Sequence, residues 1–175
     1  MRIVGIDPNS FVIAMGMRSD KKKRGTGAHL VRIGDGLEIA VAEPRDPKLA
    51  KKKTTRARER FTPLVNDFAI VIRGLKPTYC YVEEPIYAGS FPATLALGMI
   101  CGAMSVVLDG LEIPWSFVGN NTWKKALLGG GKATKDEIRA WVLHRFPALS
   151  DDLIQDVYDA VAIAEWGYQA CGGAR

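Results

Sequence analysis

Near its start this sequence carries a short apolar run that ends abruptly in a carboxylate, Arg2-Ile3-Val4-Gly5-Ile6-Asp7. Its middle reads as a buried central strand. Pro8 has no amide proton to donate, so the ladder is expected to stop there. A central strand ending in Asp sets an acid at the rim of a sheet. Two other stretches carry acids that could meet it, Tyr81-Val82-Glu83-Glu84 and Asp156-Val157-Tyr158-Asp159. The 175 residues suffice for one domain with a proper core and are too few for two large ones. Residues 1–175 are therefore read as a single domain.

Phe11 to Arg18 reads as a second strand, joined to the first through Asn9-Ser10 as a hairpin. Leu30 to Ile33 and Leu37 to Ala42 are short strands around the turn signal Gly34-Asp35-Gly36. Basic polar loops occupy the regions near 19–28 and 44–54. Phe61, Leu64, Val65, Phe68, Ile72 and Leu75 recur at helical intervals, which predicts a helix from about Thr55 to Arg73. Pro63 marks its true start or a kink, and Gly74 and Pro77 end it. Thr78 to Glu83 is the next strand. The apolar window from Ala93 to Leu108 is short for a membrane span and interrupted by Gly98 and Gly102, so it reads as a buried helix. Trp115 to Val118 is a strand and Asn121 to Leu128 a short helix. Thr134 and Glu137 form a capping box opening a helix to Phe146. Ser150 is expected to cap a last helix through about Gln169. An antiparallel start followed by alternating helices and strands implies a mixed α/β sheet with helices packed on it.

Cys80, Cys101 and Cys171 have no paired spacing, and His29 and His144 stand alone. That argues against disulfides and zinc, and for a reducing cytoplasm. The sequence goes straight into the first strand, so no signal peptide is expected. The net charge of +5 is unevenly spread. Arg18, Lys21, Lys22, Lys23 and Arg24 form one cluster. Arg45, Lys48, Lys51, Lys52, Lys53, Arg56, Arg58 and Arg60 form another. A single lysine run is most simply a solvated loop, but two such clusters beside spaced acids favour a polyanion, above all nucleic acid.

Asp156 and Asp159 share one helix face, with Asp152 one turn earlier. Alone they would be a solvated face, as Asp7 alone would be a turn residue. Together, acids from two strand ends and one helix can converge on a single rim. Carboxylates packed so closely need cations, and oxygen-only ligands select Mg²⁺ or Mn²⁺. Two ions about 4 Å apart would clamp the attacking and leaving oxygens of a phosphodiester displacement. Neither a histidine nor a serine nucleophile is then required.

These residues resemble the RuvC Holliday-junction resolvases of the RNase H-like (retroviral integrase) superfamily. Gly5-Ile6-Asp7-Pro8 resembles the opening motif with the first catalytic Asp. Tyr81-Val82-Glu83-Glu84 resembles the strand ending in the catalytic Glu, with Glu83 in register. Trp123-Lys124, Gly129 to Lys132 and Ala133-Thr134-Lys135 resemble the lysine and glycine segment. Asp156-Val157-Tyr158-Asp159-Ala160-Val161-Ala162 resembles the final D-x-x-D-A motif. The likeness spans residues 1 to about 165 with the motifs in order.

The resemblance implies an RNase H-like fold, with a mixed five-stranded sheet, its first three strands antiparallel, and helices on both faces. It implies catalytic and metal-holding roles for Asp7, Glu83, Asp156 and Asp159, and basic roles near the scissile phosphate for Lys124 and Lys135. It further implies two Mg²⁺ per site, replaceable by Mn²⁺, and a cytoplasmic homodimer in a bacterial or phage-infected cell, with no membrane partner. That dimer would nick four-way or other branched DNA to leave 5′-phosphates. Lys21, Lys22, Lys23, Arg24, Lys51, Lys52, Lys53, Arg56, Tyr87 and Lys132 are the expected DNA contacts. Two departures stand out. Asn9 replaces the family's usual Gly, and Ile86 stands where an aromatic wedge is common, with Tyr87 next. The longer basic loops point to a divergent, phage-type member. Three other readings compete: an actin-like ATPase or sugar kinase, for which the chain is too short; a related nuclease acting on RNA or an RNA–DNA hybrid; and a non-catalytic DNA-binding protein.

Overall fold

The structure is a computed structural model that describes residues 1–8, 13–19, 30–33, 37–42, 57–86 and 89–172. Its sheet consists of β1 (Arg2–Pro8), β2 (Ile13–Ser19), β3 (Leu30–Ile33), β4 (Leu37–Ala42), β5 (Tyr79–Glu83) and β6 (Trp115–Val118). The described helices are α1 (Ala57–Leu75), α2 (Phe91–Gly110), α3 (Asn120–Leu128), α4 (Lys135–Arg145) and α5 (Gln155–Ala170). The strand order is β3-β4-β2-β1-β5-β6, which puts β1 inside the sheet. β1 runs antiparallel to β2 and parallel to β5, and β5 runs parallel to β6.

The expected mixed sheet is present as β1, β2, β4, β5 and β6, and β3 adds a sixth strand at its edge. The stretches flanking Gly34-Asp35-Gly36 are two separate strands that pair antiparallel, so they count twice. β1 also extends through Pro8, whose Cα pairs with that of Ile13. A proline needs no ladder donor when it is the last residue of the strand. The Asn9-Ser10 turn lies outside the described residues.

Alternation along the strands divides the core into two layers. Val4, Ile6, Ile13, Met15, Cys80 and Val82 face α1 and α2, meeting Leu64, Phe68, Ile72, Ile100, Met104 and Leu108. On the other face, Leu37 and Ile39 join Trp123 of α3, Ile138 and Val142 of α4, and Val157, Val161 and Ile163 of α5. α4 is tied to α5 by Arg145, whose Nε and a terminal nitrogen donate to Oε1 of the buried Glu165 at 3.1 and 3.0 Å.

Three helix readings change. The capping box of Thr134 and Glu137 forms as expected. The last helix, however, starts at Gln155 with Ile154 as its cap residue. Ser150 instead donates to Asp152, and its carbonyl accepts from Tyr158 Oη at 3.1 Å, so Ser150 and Asp152 lie before α5 rather than on it. Pro63 falls inside α1 rather than at its start. α2 is only partly buried: Ile100, Cys101, Met104 and Leu108 face the core, while Phe91, Leu95, Met99 and Val106 are exposed. By length and composition alone, α2 is the one described helix that could cross a membrane. Its buried stripe packs on α1 and the sheet.

The tightest contact in the fold is between α5 and the central strands. Gly5 and Gly16 are register partners on β1 and β2. A Cβ on Gly5 would lie 2.3 Å from both the Ala160 carbonyl oxygen and the Ala164 nitrogen. A Cβ on Gly16 would lie 2.7 Å from the Val161 Cα. Both obstacles are helix backbone, which cannot swing aside. Gly167 answers from the helix side, since a Cβ there would strike the Tyr81 ring at 2.3 Å. Gly5→Ala is expected to destabilise the protein by about 3 kcal/mol or more through overpacking. That corresponds to a fall in melting temperature of roughly 10 °C for a chain of this size. Calorimetry of the variant tests it, and an unchanged melting temperature would mean that α5 can lift off the sheet freely.

Candidate active site

α5 runs back along β1: Gly167 meets Ile3, and Ala160 and Ala164 meet Gly5. Strand alternation then turns Asp7 towards the first turns of α5, where Asp156 and Asp159 lie. β5 is parallel to β1, with Tyr81 beside Gly5 and Val82 beside Ile6, so Glu83 emerges next to Asp7. Tyr81 and Glu83 share one face of β5, and Tyr81 contacts α5 at Gly167. Glu84 has the opposite parity and is exposed. Of the two glutamates, the structure therefore places Glu83 with the other acids.

Asp7 is only 8% exposed. Burial raises its pKa well above the ordinary aspartate value, and the charges of Glu83, Asp159 and Asp156 push the same way, as does a hydrogen bond with Glu83. Burial also lifts Asp159, to about 6. Its neighbours act in both directions: Gln155 and Lys124 lower it, and Glu83 and Asp156 raise it. Gln155 Nε2 donates to Asp159 Oδ1 at 3.0 Å. Glu83 Oε1 accepts from Asn120 Nδ2 at 2.7 Å and from Trp123 Nε1 at 3.2 Å. Asp156 is half-buried on the same helix turn.

The four predicted acids thus share one electrostatic neighbourhood. Among the described residues, no three His, Cys, Asp or Glu side chains stand close enough to form a finished metal cage. The donor set nevertheless fits a hard cation. All four groups are carboxylates, and burial together with the charges of the other three disfavours the charged form of Asp7. A divalent ion would relieve that conflict.

The charge of Lys124 acts on Asp159, and its Nζ sits 5.3 Å from the Trp123 ring centroid. Lys135 opens α4, is exposed, and is not among the charges that shift Asp7 or Asp159. Lys132 is also exposed and lines an open cavity of about 560 Å³ with Leu127, Glu137 and Trp141. The other expected DNA contacts, Lys21, Lys22, Lys23, Arg24, Lys51, Lys52, Lys53, Arg56 and Tyr87, lie outside the described residues.

Three site residues escaped the sequence reading: Asn120, Trp123 and Gln155. Gln155 stands four residues before Asp159, a spacing at which helical side chains meet, so it was within reach. Trp123 is fully buried, yet its indole N–H is used on Glu83. The Asn120 contact depends on the pairing of β5 with β6, a long-range feature.

Residues 3–165 match the family model for crossover junction endodeoxyribonuclease RuvC. The RuvC of Neisseria meningitidis serogroup A is 29% identical over 164 residues, covering 94% of this chain and 83% of that protein. The RuvC of a Sulfurovum species is 27% identical over 166 residues, covering 94% and 92%. The solved structure of Thermus thermophilus RuvC in complex with a Holliday junction substrate superposes with a TM-score of 0.73 at 23% identity, covering 100% of this chain and 98% of that one. The fold is RNase H-like.

A raised carboxylate pKa stabilises the folded state only while the group is protonated. For Asp159 the contribution is complete below about 4 and is lost as pH rises through about 6. Asp7 is shifted in the same direction. In EDTA, Asp7→Asn is therefore expected to melt several degrees above the unsubstituted protein at pH 8, and the gap should narrow towards pH 4. A gap independent of pH in calorimetric scans would mean that the acids are not in electrostatic conflict.

Proposed function

Since the chain belongs to the RuvC family of crossover junction endodeoxyribonucleases, we infer that it resolves four-way DNA junctions by divalent-cation-dependent hydrolysis of phosphodiester bonds. The observation that carries the site assignment is the gathering of the buried Asp7 with the half-buried Glu83, Asp156 and Asp159, close enough for their charges to act on one another.

In this reading the four carboxylates hold two Mg²⁺ per site, with Mn²⁺ able to substitute. Bound cations acidify the attacking water and neutralise charge on the scissile phosphate. Burial and the neighbouring acids disfavour the charged form of Asp7, so a cation held by these carboxylates would bind more tightly as pH rises. Lys124 supplies a fixed positive charge beside Asp159 for the phosphate. Lys135 and Lys132 extend that charge along the exposed start of α4. The basic loops near 19–28 and 44–54 and Tyr87 are assigned to DNA binding beyond the cut, within one nuclease domain over residues 1–175.

The exposed stripe of α2 supports homodimer formation. Phe91, Leu95, Met99 and Val106 recur on one side of this helix and are 75, 51, 49 and 71% exposed. Gly98 and Gly102 lie on the same side with open space before them, which would let a second helix approach closely. An apolar patch of this kind is uncommon on a free monomer.

Two outcomes are expected. A labelled four-way junction is nicked symmetrically with Mg²⁺ and not with EDTA, while matched duplex and RNA–DNA hybrid stay intact. Asp7→Asn, Glu83→Gln, Asp156→Asn and Asp159→Asn each lower that cleavage about 100-fold or more and keep junction binding. Cutting of the hybrid instead would keep the site and change the substrate, and full cleavage by any variant would remove that residue from the site. Separately, Met99→Glu is expected to weaken self-association at least about tenfold, or about 1.4 kcal/mol. Light scattering across a concentration series reads this, and an unaltered dimer would place the interface elsewhere.

A further inference from the structure

The hydrogen bonds around the acids follow a pattern that the family assignment does not explain. Besides its hydrogen bond with Asp7, Glu83 takes two donors on Oε1, Asn120 Nδ2 at 2.7 Å and Trp123 Nε1 at 3.2 Å. Asp159 Oδ1 takes one, Gln155 Nε2 at 3.0 Å. The two donors on Glu83 converge on one oxygen, and the donor on Asp159 likewise engages one oxygen. They are two amides and an indole, and none of the three carries charge. A lysine or arginine in the same place would also satisfy the oxygen, but its charge would compete with a cation for the carboxylate.

We propose that Asn120, Trp123 and Gln155 are positioning residues that fix Glu83 and Asp159 so that each offers its other oxygen, Glu83 Oε2 and Asp159 Oδ2, to a divalent cation. The inference rests on reading these acids as cation ligands. These donors restrict rotation of the carboxylates and add no positive charge to that which Lys124 already brings to Asp159.

The scaffold behind the donors is rigid. The Cα of Val118 pairs with that of Glu83, and Glu84 N donates to the Val118 carbonyl at 2.9 Å. Two residues later the chain begins α3 at Asn120, so the register of β5 and β6 sets Asn120 beside Glu83. Asn120 and Trp123 are three apart and share a helix face. Trp123 is fully buried against α4 and α5, so its N–H has little freedom to move elsewhere. Gln155 opens α5 and reaches Asp159 one turn on. Orienting partners of this kind typically change metal affinity 10–100-fold when removed.

The test uses the full chain without DNA and Mn²⁺ as the probe, with free Mn²⁺ followed by electron paramagnetic resonance. Asn120→Leu keeps the shape and removes the donor. Gln155→Leu does the same from the other side, at a half-buried helix start where folding is less at stake. Each is expected to raise the Mn²⁺ dissociation constant 10–100-fold. The Mn²⁺ concentration for half-maximal junction cleavage should rise in parallel, while kcat at saturating Mn²⁺ and KM for the junction stay near their original values. Unchanged Mn²⁺ affinity in both folded variants would overturn the proposal while leaving the nuclease reading in place. Lost activity that no Mn²⁺ concentration restores would overturn it as well. An unsubstituted protein that neither binds Mn²⁺ nor cuts a junction would remove both this proposal and the site assignment beneath it.

Discussion

The close approach of α5 to β1 and β2 is the contact on which the rest of the structure depends. Helix backbone lies directly on strand backbone, because Gly5 and Gly16 present no side chains and Ala160 and Ala164 present small ones. With side chains of ordinary size the helix would stand further off. Asp156 and Asp159 would then recede from Asp7, and the site would open by a side chain's width. Gly167 extends the same fit towards the other end, where the Tyr81 ring fills the space that a Cβ would need. The backbone packing therefore sets the spacing of the acids.

That spacing sets stability against function. Four carboxylates held together, one of them buried, are unfavourable without a counter-ion, and the conflict falls most heavily on Asp7, whose pKa is raised by burial and by its neighbours. The apolar layers around Ile6, Ile13 and Val157 must outweigh that conflict. Sites of this kind are maintained because the fold as a whole is stable enough to carry a locally unstable arrangement. Proton and cation then become alternatives for the same negative charge.

Much of this was legible in the sequence, for local reasons. The strand end at Glu83, the Thr134–Glu137 capping box and the Asp156–Asp159 spacing are short-range signals that the structure places as expected, while β1 runs one residue past Asp7 to Pro8. What escaped was long-range or parity-dependent. Ser150 is a good cap residue by type, but the chain delays the helix to Gln155, and the Ser150 carbonyl serves Tyr158 instead. α2 reads as fully buried because apolarity does not distinguish a core helix from one with an uncovered apolar side. The partnership of Asn120 and Trp123 with Glu83 depends on the pairing of β5 with β6, and no spacing in the chain announces it.

α3 joins packing, carboxylate orientation and charge in one short element. Within nine residues it fills the core with Trp123, holds Glu83 through Asn120 and the same Trp123, and sets Lys124 beside Asp159. It can do so because it is short and stops at Gly129, whose φ of 79° closes the helix with a bond from its N–H to the Lys125 carbonyl. A longer helix would carry the chain away before α4 could turn back onto α5. Packing, carboxylate orientation and positive charge thus share one rigid piece. A substitution that disturbs Trp123 would strike all three together, whereas one at Asn120 would isolate carboxylate orientation from the other two.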